Sequence, residues 1–145
     1  MYMRSAGIDT SCIRGVIGCG GLYNIQSPTG TLWRDIVYYI YCGSSAFGYN
    51  WYNYSSISPI TYVDHNTVPH CLINAESEYN LVSCSNEMYE KLLSYNILVY
   101  HYIITNTTHT TIASRVDTNG AVQYIVQFIQ QCQHNHTLYG AHKPT

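Results

Sequence analysis

Two glutamates separated by a single residue, Glu76 and Glu78, are the pair of side chains best suited to chemistry in this sequence. On a strand or at its edge, residues two apart point to the same side, so both carboxylates are expected to face one space. One such acid can stabilise a developing cation while the other activates a nucleophile, because the charge of one raises the pKa of the other. The same spacing is also typical of two solvated loop acids, and spacing alone does not separate the two interpretations.

A second pattern, His-x-Thr-apolar, occurs twice in the chain. Its two copies are His65-Asn66-Thr67-Val68 and His109-Thr110-Thr111-Ile112. Paired motifs of this kind form the acid and base of two-histidine phosphoesterases, in which each imidazole transfers a proton at the scissile phosphate. A chain with seven histidines also produces such a pair by chance. A phosphoesterase that uses His65 and His109 is therefore a minor alternative.

A zinc site is a weaker hypothesis, based on cysteines and further histidines that could coordinate the metal. His70-Cys71 is one candidate pair, and Cys132, His134 and His136 form a second group. Neither group has the spacing of a standard zinc finger, so no metal is expected. The six cysteines include no CxxC pair, and their even number fits either free thiols or disulfides.

The hydrophobic pattern of the sequence predicts the elements that position these residues. Strands are predicted over residues 36–42, 60–63, 79–83 and 97–104. Helical spacing is present after an Asp9-Thr10-Ser11 cap, and a short helix is predicted to begin at Asn86 and to carry Met88 and Leu92. Residues 65–75 are predicted to be irregular around Pro69.

The Asn119-Gly120 dipeptide is the strongest short hairpin signal in the chain, and it predicts paired strands over residues 110–116 and 121–129. Together these segments predict one α+β domain dominated by antiparallel strands.

Composition narrows the class of protein. A length of 145 residues fits one domain, and 16 tyrosines argue against a disordered chain. With six Lys plus Arg and a formal net charge of -2, the chain lacks the basic footprint of a nucleic-acid binder. No apolar run approaches the roughly 20 residues of a membrane span. The first seven residues lack the apolar core of a signal peptide.

The order of several motifs over residues 36–101 resembles the pertussis-toxin-like ADP-ribosyltransferases. These enzymes carry a Gln/Glu-x-Glu triplet in a Ser-Glu-Tyr context, which Glu76-Ser77-Glu78-Tyr79 resembles, and then a strand similar to the one over residues 97–101. The upstream matches are Tyr39-Ile40-Tyr41, Gly48-Tyr49-Asn50-Trp51-Tyr52 and Ser58-Pro59-Ile60-Thr61-Tyr62-Val63-Asp64.

The resemblance implies a split antiparallel β-sheet with NAD, as substrate, in the cleft between two half-sheets. It implies that Glu78 binds the nicotinamide ribose and stabilises the oxocarbenium-like state, as an anion near an electron-deficient carbon does. Glu76 would then orient or deprotonate the acceptor, and Ser5 and Tyr39 would contribute to NAD binding. The acceptor would be a side chain of a host protein.

The resemblance also implies a secreted toxin catalytic subunit of the kind that docks on a pentameric delivery ring. Compared with that family, the chain is expected to be one partial domain over residues 1–145, shortened at its N terminus and without the docking extension. Arg4 stands where the family has the first Ser of its Ser-Thr-Ser strand. The alternative from another class is a non-catalytic, β-rich binding or virion-type domain that uses its Tyr and Asn surface.

Overall fold

The computed structural model of the protein describes Gly7 and residues 12–25, 54–78 and 81–140, with the backbone alone over 135–140. Ser5, Tyr39 and the strand predicted over residues 36–42 lie outside the described residues. The described elements are, in chain order, β1 (Val16–Cys19), α1 (Tyr54–Ile57), a 3-10 helix (Pro59–Tyr62), β2 (His70–Ser77), α2 (Leu81–Ser94), β3 (Val99–Thr108), α3 (His109–Ser114) and α4 (Ala121–Gly140). The α+β class is confirmed.

The three described strands form one sheet in the order β1-β2-β3, and both pairs are parallel. In register, Val16 lies opposite His70, and His70 lies opposite Val99. The prediction of antiparallel pairing is therefore wrong for these strands, and the described residues do not show a split antiparallel sheet. Parallel strands need a long crossover connection, and α2 supplies it between β2 and β3.

The central strand, β2, lies where an irregular segment was predicted. All six residues from His70 to Ala75 are buried, as expected of a parallel strand that is covered on both faces. Pro69 does not break this strand because it precedes the first ladder residue, and its carbonyl accepts a hydrogen bond of 2.9 Å from the amide of Val16.

Helix α2 begins five residues before the predicted cap at Asn86. Its buried residues Leu81, Cys84, Met88 and Leu92 recur at helical spacing, so residues 81–83 continue an amphipathic helix and do not form a strand. The helix ends where Asn96 adopts a positive φ of 57°, and the amide of Ile97 donates to the carbonyl of Leu92 at 3.0 Å.

The predicted hairpin around Asn119-Gly120 is a connection between two helices, α3 and α4. Asn119 Nδ2 donates to the carbonyls of Thr111 and Ile112, at 3.2 and 3.0 Å, and so caps the end of α3. Its Oδ1 accepts from the amide of Ala121 at 2.9 Å and caps the start of α4. One side chain thus fixes both helix ends, and the prediction of a hairpin is wrong because Asn119 caps two helices.

Two shorter predictions also fail. Residues 60–63 lie largely in the 3-10 helix, which begins at Pro59, a residue favoured in the first turn of a helix. The segment expected to be helical after residue 11 contains β1 instead. Its glycines weaken a helix but allow the close approach of another chain segment, since a Cβ at Gly15 would lie 2.8 Å from the Phe128 ring.

The sheet separates two hydrophobic cores because successive β2 side chains point to opposite faces. Cys71, Ile73 and Ala75 face α3 and α4, where they pack with Ile104, Ile112, Ala121, Phe128 and Cys132. Leu72 faces α2 and packs with Tyr23, Val63, Met88, Leu92, Ile97 and Val99. Because the three strands are parallel, their carboxyl ends lie at one edge of the sheet.

Candidate functional site

The carboxyl ends of three parallel strands meet at one edge of the sheet, which is the usual place for ligands in open sheets of this kind. Gly20 follows β1, Glu78 follows β2, and His109 follows β3. Two of the sequence-predicted residues, Glu78 and His109, are therefore neighbours here, although they were singled out by unrelated patterns.

Glu78 is the centre of this edge. Its side chain has no exposed surface, and each of its two oxygens has a separate partner. Oε2 accepts a hydrogen bond from Nδ2 of Asn74, while Oε1 lies 3.3 Å from Nδ1 of His109. A buried carboxylate requires such partners, because it has lost its hydrogen bonds to water.

Asn74 connects Glu78 to a second histidine. Asn74 is fully buried on β2, and its amide nitrogen is engaged by Glu78, so its oxygen is left as an acceptor. Nε2 of His101, on β3, lies 2.8 Å from that oxygen and donates to it. Burial lowers the pKa of His101, which favours the neutral ring, and the hydrogen bond to Asn74 assigns the proton of that ring to Nε2. The four side chains His101, Asn74, Glu78 and His109 thus form one polar network, in which each contacts the next.

His109 is the exposed member of this network, with 38% of its side-chain surface accessible. It is the first residue of α3, whose start is fixed by a hydrogen bond of 2.8 Å from the Thr108 amide to Oγ1 of Thr111. Because Glu78 is an acceptor, the nitrogen facing it is assigned as Nδ1–H. That assignment leaves Nε2 as the basic nitrogen.

Gly20 closes the edge over the glutamate–histidine pair. It has a positive φ of 60°, and its amide donates to the carbonyl of Ile73 at 2.8 Å. A Cβ at this position would collide with Oε1 of Glu78 and would lie 2.9 Å from Nδ1 of His109. Only glycine satisfies both the backbone conformation and the close approach.

Two other polar side chains surround Glu78. Burial, and then the Glu78 carboxylate, raise the pKa of the Cys19 thiol, so Cys19 is protonated at neutral pH and is not an activated nucleophile. Burial likewise raises the pKa of Tyr23, with further contributions from Cys19 and Glu78. Its hydroxyl is buried and has no hydrogen-bond partner among the described residues.

Glu76 has a different environment from Glu78. It is exposed, and its Oε2 accepts from the amide of Asn106 at 2.9 Å. Asn106 has a positive φ of 55° and lies where the register between β2 and β3 shifts, so Glu76 satisfies an amide of this irregular segment. The expectation that both carboxylates face one space is not met, because β2 ends at Ser77 and the alternation does not extend to Glu78.

The remaining predicted combinations do not assemble. His65 packs on Tyr95, with ring centroids 4.9 Å apart, beside the residues that lead into the start of β3, whereas His109 follows the end of that strand. The two histidines therefore lie at opposite edges of the sheet. Cys132 is buried in a hydrophobic core, and the described residues contain no group of three or more His, Cys, Asp or Glu able to hold a metal ion.

Comparisons with protein-family models, with curated proteins and with solved structures give no match to this chain. Within the described part of the chain, no helix has the length and apolar character needed to cross a membrane. The assignment of function therefore depends on the geometry of the site.

A pair of glycine substitutions tests whether the β1 loop packs on Glu78 and His109. Gly20→Ala and Gly120→Ala both place a side chain on a positive φ, which costs about 1 kcal/mol of unfolding free energy. A Cβ at Gly120 meets nothing within 4 Å, whereas one at Gly20 meets the site. We expect Gly20→Ala to lose about 1–3 kcal/mol more than Gly120→Ala in urea denaturation. Equal losses would show that the loop does not contact the pair.

Proposed function

We propose that the protein is an enzyme in which His109 acts as a general base, oriented by Glu78, on a substrate bound over the carboxyl edge of the sheet. The observation that carries the proposal is the contact of 3.3 Å between a half-exposed imidazole and a fully buried carboxylate. An imidazole base that is oriented by a buried acid is the arrangement that acid–base catalysis requires.

The chemistry follows from the two ring nitrogens of His109. Nδ1–H donates to Glu78, so Nε2 takes the proton of a water or hydroxyl group as that group attacks an electrophilic centre. The imidazolium formed in this step is stabilised by the adjacent carboxylate, and the proton then passes to the leaving group. Cys19 does not compete as the nucleophile, because its pKa is raised. The reaction class is therefore hydrolysis or transfer to a hydroxyl.

Asn74 and His101 act as positioning residues in this proposal. Asn74 occupies Oε2 of Glu78, which leaves Oε1 for His109. His101 occupies the oxygen of Asn74 and thereby fixes the direction of the amide. Neither residue needs to touch the substrate, and both keep the carboxylate in one orientation.

Hydrolysis of p-nitrophenyl acetate tests the base. We expect the wild-type protein to accelerate ester hydrolysis, and His109→Ala to lower kcat/KM about 10²-fold, the scale of a lost general base. Glu78→Gln should also lower the rate, because the amide no longer holds the ring as the carboxylate does. His65→Ala is the matched control, since His65 is an exposed histidine at the opposite edge. A His109→Ala rate equal to that of His65→Ala would contradict the proposal.

A second candidate function is ADP-ribosyl transfer from NAD to a side chain of a host protein by a secreted toxin subunit, and it is favoured by the position of Glu78. A carboxylate at the edge of the sheet, next to a base, has the two groups this reaction needs. Glu78 would stabilise the ribose cation as the C1′–N bond breaks and nicotinamide leaves with the bonding electrons. His109 would remove the proton of the acceptor that forms the new bond to C1′.

This candidate requires a rearrangement at Gly20, because the Glu78 side chain has no exposed surface with which to meet a ribose. It is supported by the motif resemblance and by the glutamate–histidine pair, and not by the parallel sheet. In this mechanism Glu76 would retain only its contact with Asn106. The resemblance assigns NAD binding to Ser5 and Tyr39, which lie outside the described residues.

Nicotinamide release from NAD tests the second candidate. If it holds, the wild-type protein releases nicotinamide, and Glu78→Gln lowers the rate at least about 10²-fold, because one preorganised charge is lost at the developing cation. Glu76→Gln keeps an acceptor for the Asn106 amide and should retain the wild-type rate. No release by the wild-type protein would reject NAD as the substrate while leaving the ester-hydrolysis test of His109 unaffected.

A further inference from the structure

A groove of about 440 Å³ lies between the first half of β3 and the middle of α4, away from the glutamate–histidine pair. Its lining includes Tyr100, Tyr102, Gln127, Gln130, Gln131 and His134. The volume is within the range of about 300–1,000 Å³ that is typical of small-molecule sites. Six residues of β3 lie between Tyr102 and His109, which is roughly 20 Å along an extended strand, so the groove is a separate place on the molecule.

The floor of the groove is aromatic. Tyr100 and Tyr102 stand on the same side of β3 with ring centroids 6.1 Å apart and ring planes only 7° from parallel. Tyr102 stacks on Tyr124 with ring centroids 4.1 Å apart, and Tyr100 and Phe128 form a T-shaped pair with centroids 6.3 Å apart. These contacts hold the two rings in place before any ligand arrives, so little conformational freedom is lost on binding.

The rim of the groove is made of amides. Gln127, Gln130 and Gln131 are spaced three and four residues apart on α4, which places them on one face of the helix. All three are exposed, and their side chains make no hydrogen bond within the described part of the chain. Each amide offers two donors and one acceptor oxygen, the complement of a vicinal pair of hydroxyl groups.

Apart from the ring of His134, the described residues that line the groove carry no formal charge. None of their side chains is Asp, Glu, Lys or Arg, and the sequence of α4 from Ala121 to Gly140 contains none of these four residue types. A phosphate, a sulfate or a carboxylate would find no Lys or Arg to pair with among these described residues. The described lining combines a rigid aromatic floor with an uncharged amide rim. It therefore matches a neutral ligand that has both an apolar face and many hydroxyl groups.

We propose that this groove binds a neutral oligosaccharide. The apolar face of a sugar ring, made of its axial C–H bonds, packs on Tyr102 and Tyr100, and its equatorial hydroxyls bond to the amides of Gln127 and Gln131. A nucleobase also stacks on tyrosine, but a nucleotide needs Lys or Arg for its phosphates, and the described residues that line the groove include neither. The proposal does not depend on the chemistry assigned to His109.

Titration of the ¹⁵N-labelled protein with neutral trisaccharides tests the proposal. The probes are maltotriose, cellotriose, mannotriose and chitotriose, with adenosine and uridine as the comparison. We expect at least one sugar to shift amide signals of β3 and α4 saturably, equally at low and high salt because no charges pair. The double variant Gln127→Ala/Gln131→Ala should weaken that binding about tenfold, since two neutral hydrogen bonds are lost.

Gln123→Ala is the matched control, because Gln123 is an exposed glutamine of the same helix that does not line the groove. It should bind the sugar as the wild-type protein does. The proposal is overturned if no trisaccharide shifts these signals, if only the nucleosides do, or if the double variant binds as tightly as Gln123→Ala. Circular dichroism of the variants, both of exposed residues, verifies that α4 is intact.

Discussion

The burial of one carboxylate, that of Glu78, is the constraint on which the carboxyl edge of the sheet depends. Its side chain has no access to water, so its stability requires hydrogen bonds from the protein. Asn74 supplies one, His109 lies against the other oxygen, and Gly20 approaches as closely as a residue without a Cβ can. Each of these neighbours is restricted by the carboxylate, and the carboxylate is held in one orientation by them. A site assembled in this way is preorganised, which is what catalysis by a single base requires.

The parallel sheet explains how residues distant in sequence meet there. Because all three strands run in one direction, the residue that follows each of them reaches the same edge, so residues 20, 78 and 109 become neighbours. The register also sets Leu72 of β2 opposite His101 of β3, which places His101 within reach of Asn74, two residues further along β2. An antiparallel sheet would send alternate strand ends to opposite edges and would separate these residues.

The sequence predicted the α+β class, the strand β3 and the apolar face of α2, because each has a strong local pattern. It also singled out Glu78 and His109, but in separate motifs, since nothing local indicates that residues 31 apart form a pair. Asn74 and His101 were missed. The available signal was an asparagine inside the apolar run Leu72–Ala75, where a polar side chain is buried and needs a partner. The prediction of a hairpin at Asn119-Gly120 is wrong because Asn119 caps two helices, through contacts that a turn motif does not reveal.

The proposed general base requires that Glu78 holds His109 with its proton on Nδ1 and its lone pair on Nε2. The most direct measurement is a long-range ¹H–¹⁵N correlation spectrum of the histidine side chains, in which the two ring nitrogens of a neutral imidazole have distinct shifts for each tautomer. His109→Ala assigns the signal, and the spectrum is recorded where the ring is neutral. The account predicts the Nδ1–H tautomer in the wild-type protein. A predominant Nε2–H tautomer, the form that has no donor for the Glu78 carboxylate, would contradict it.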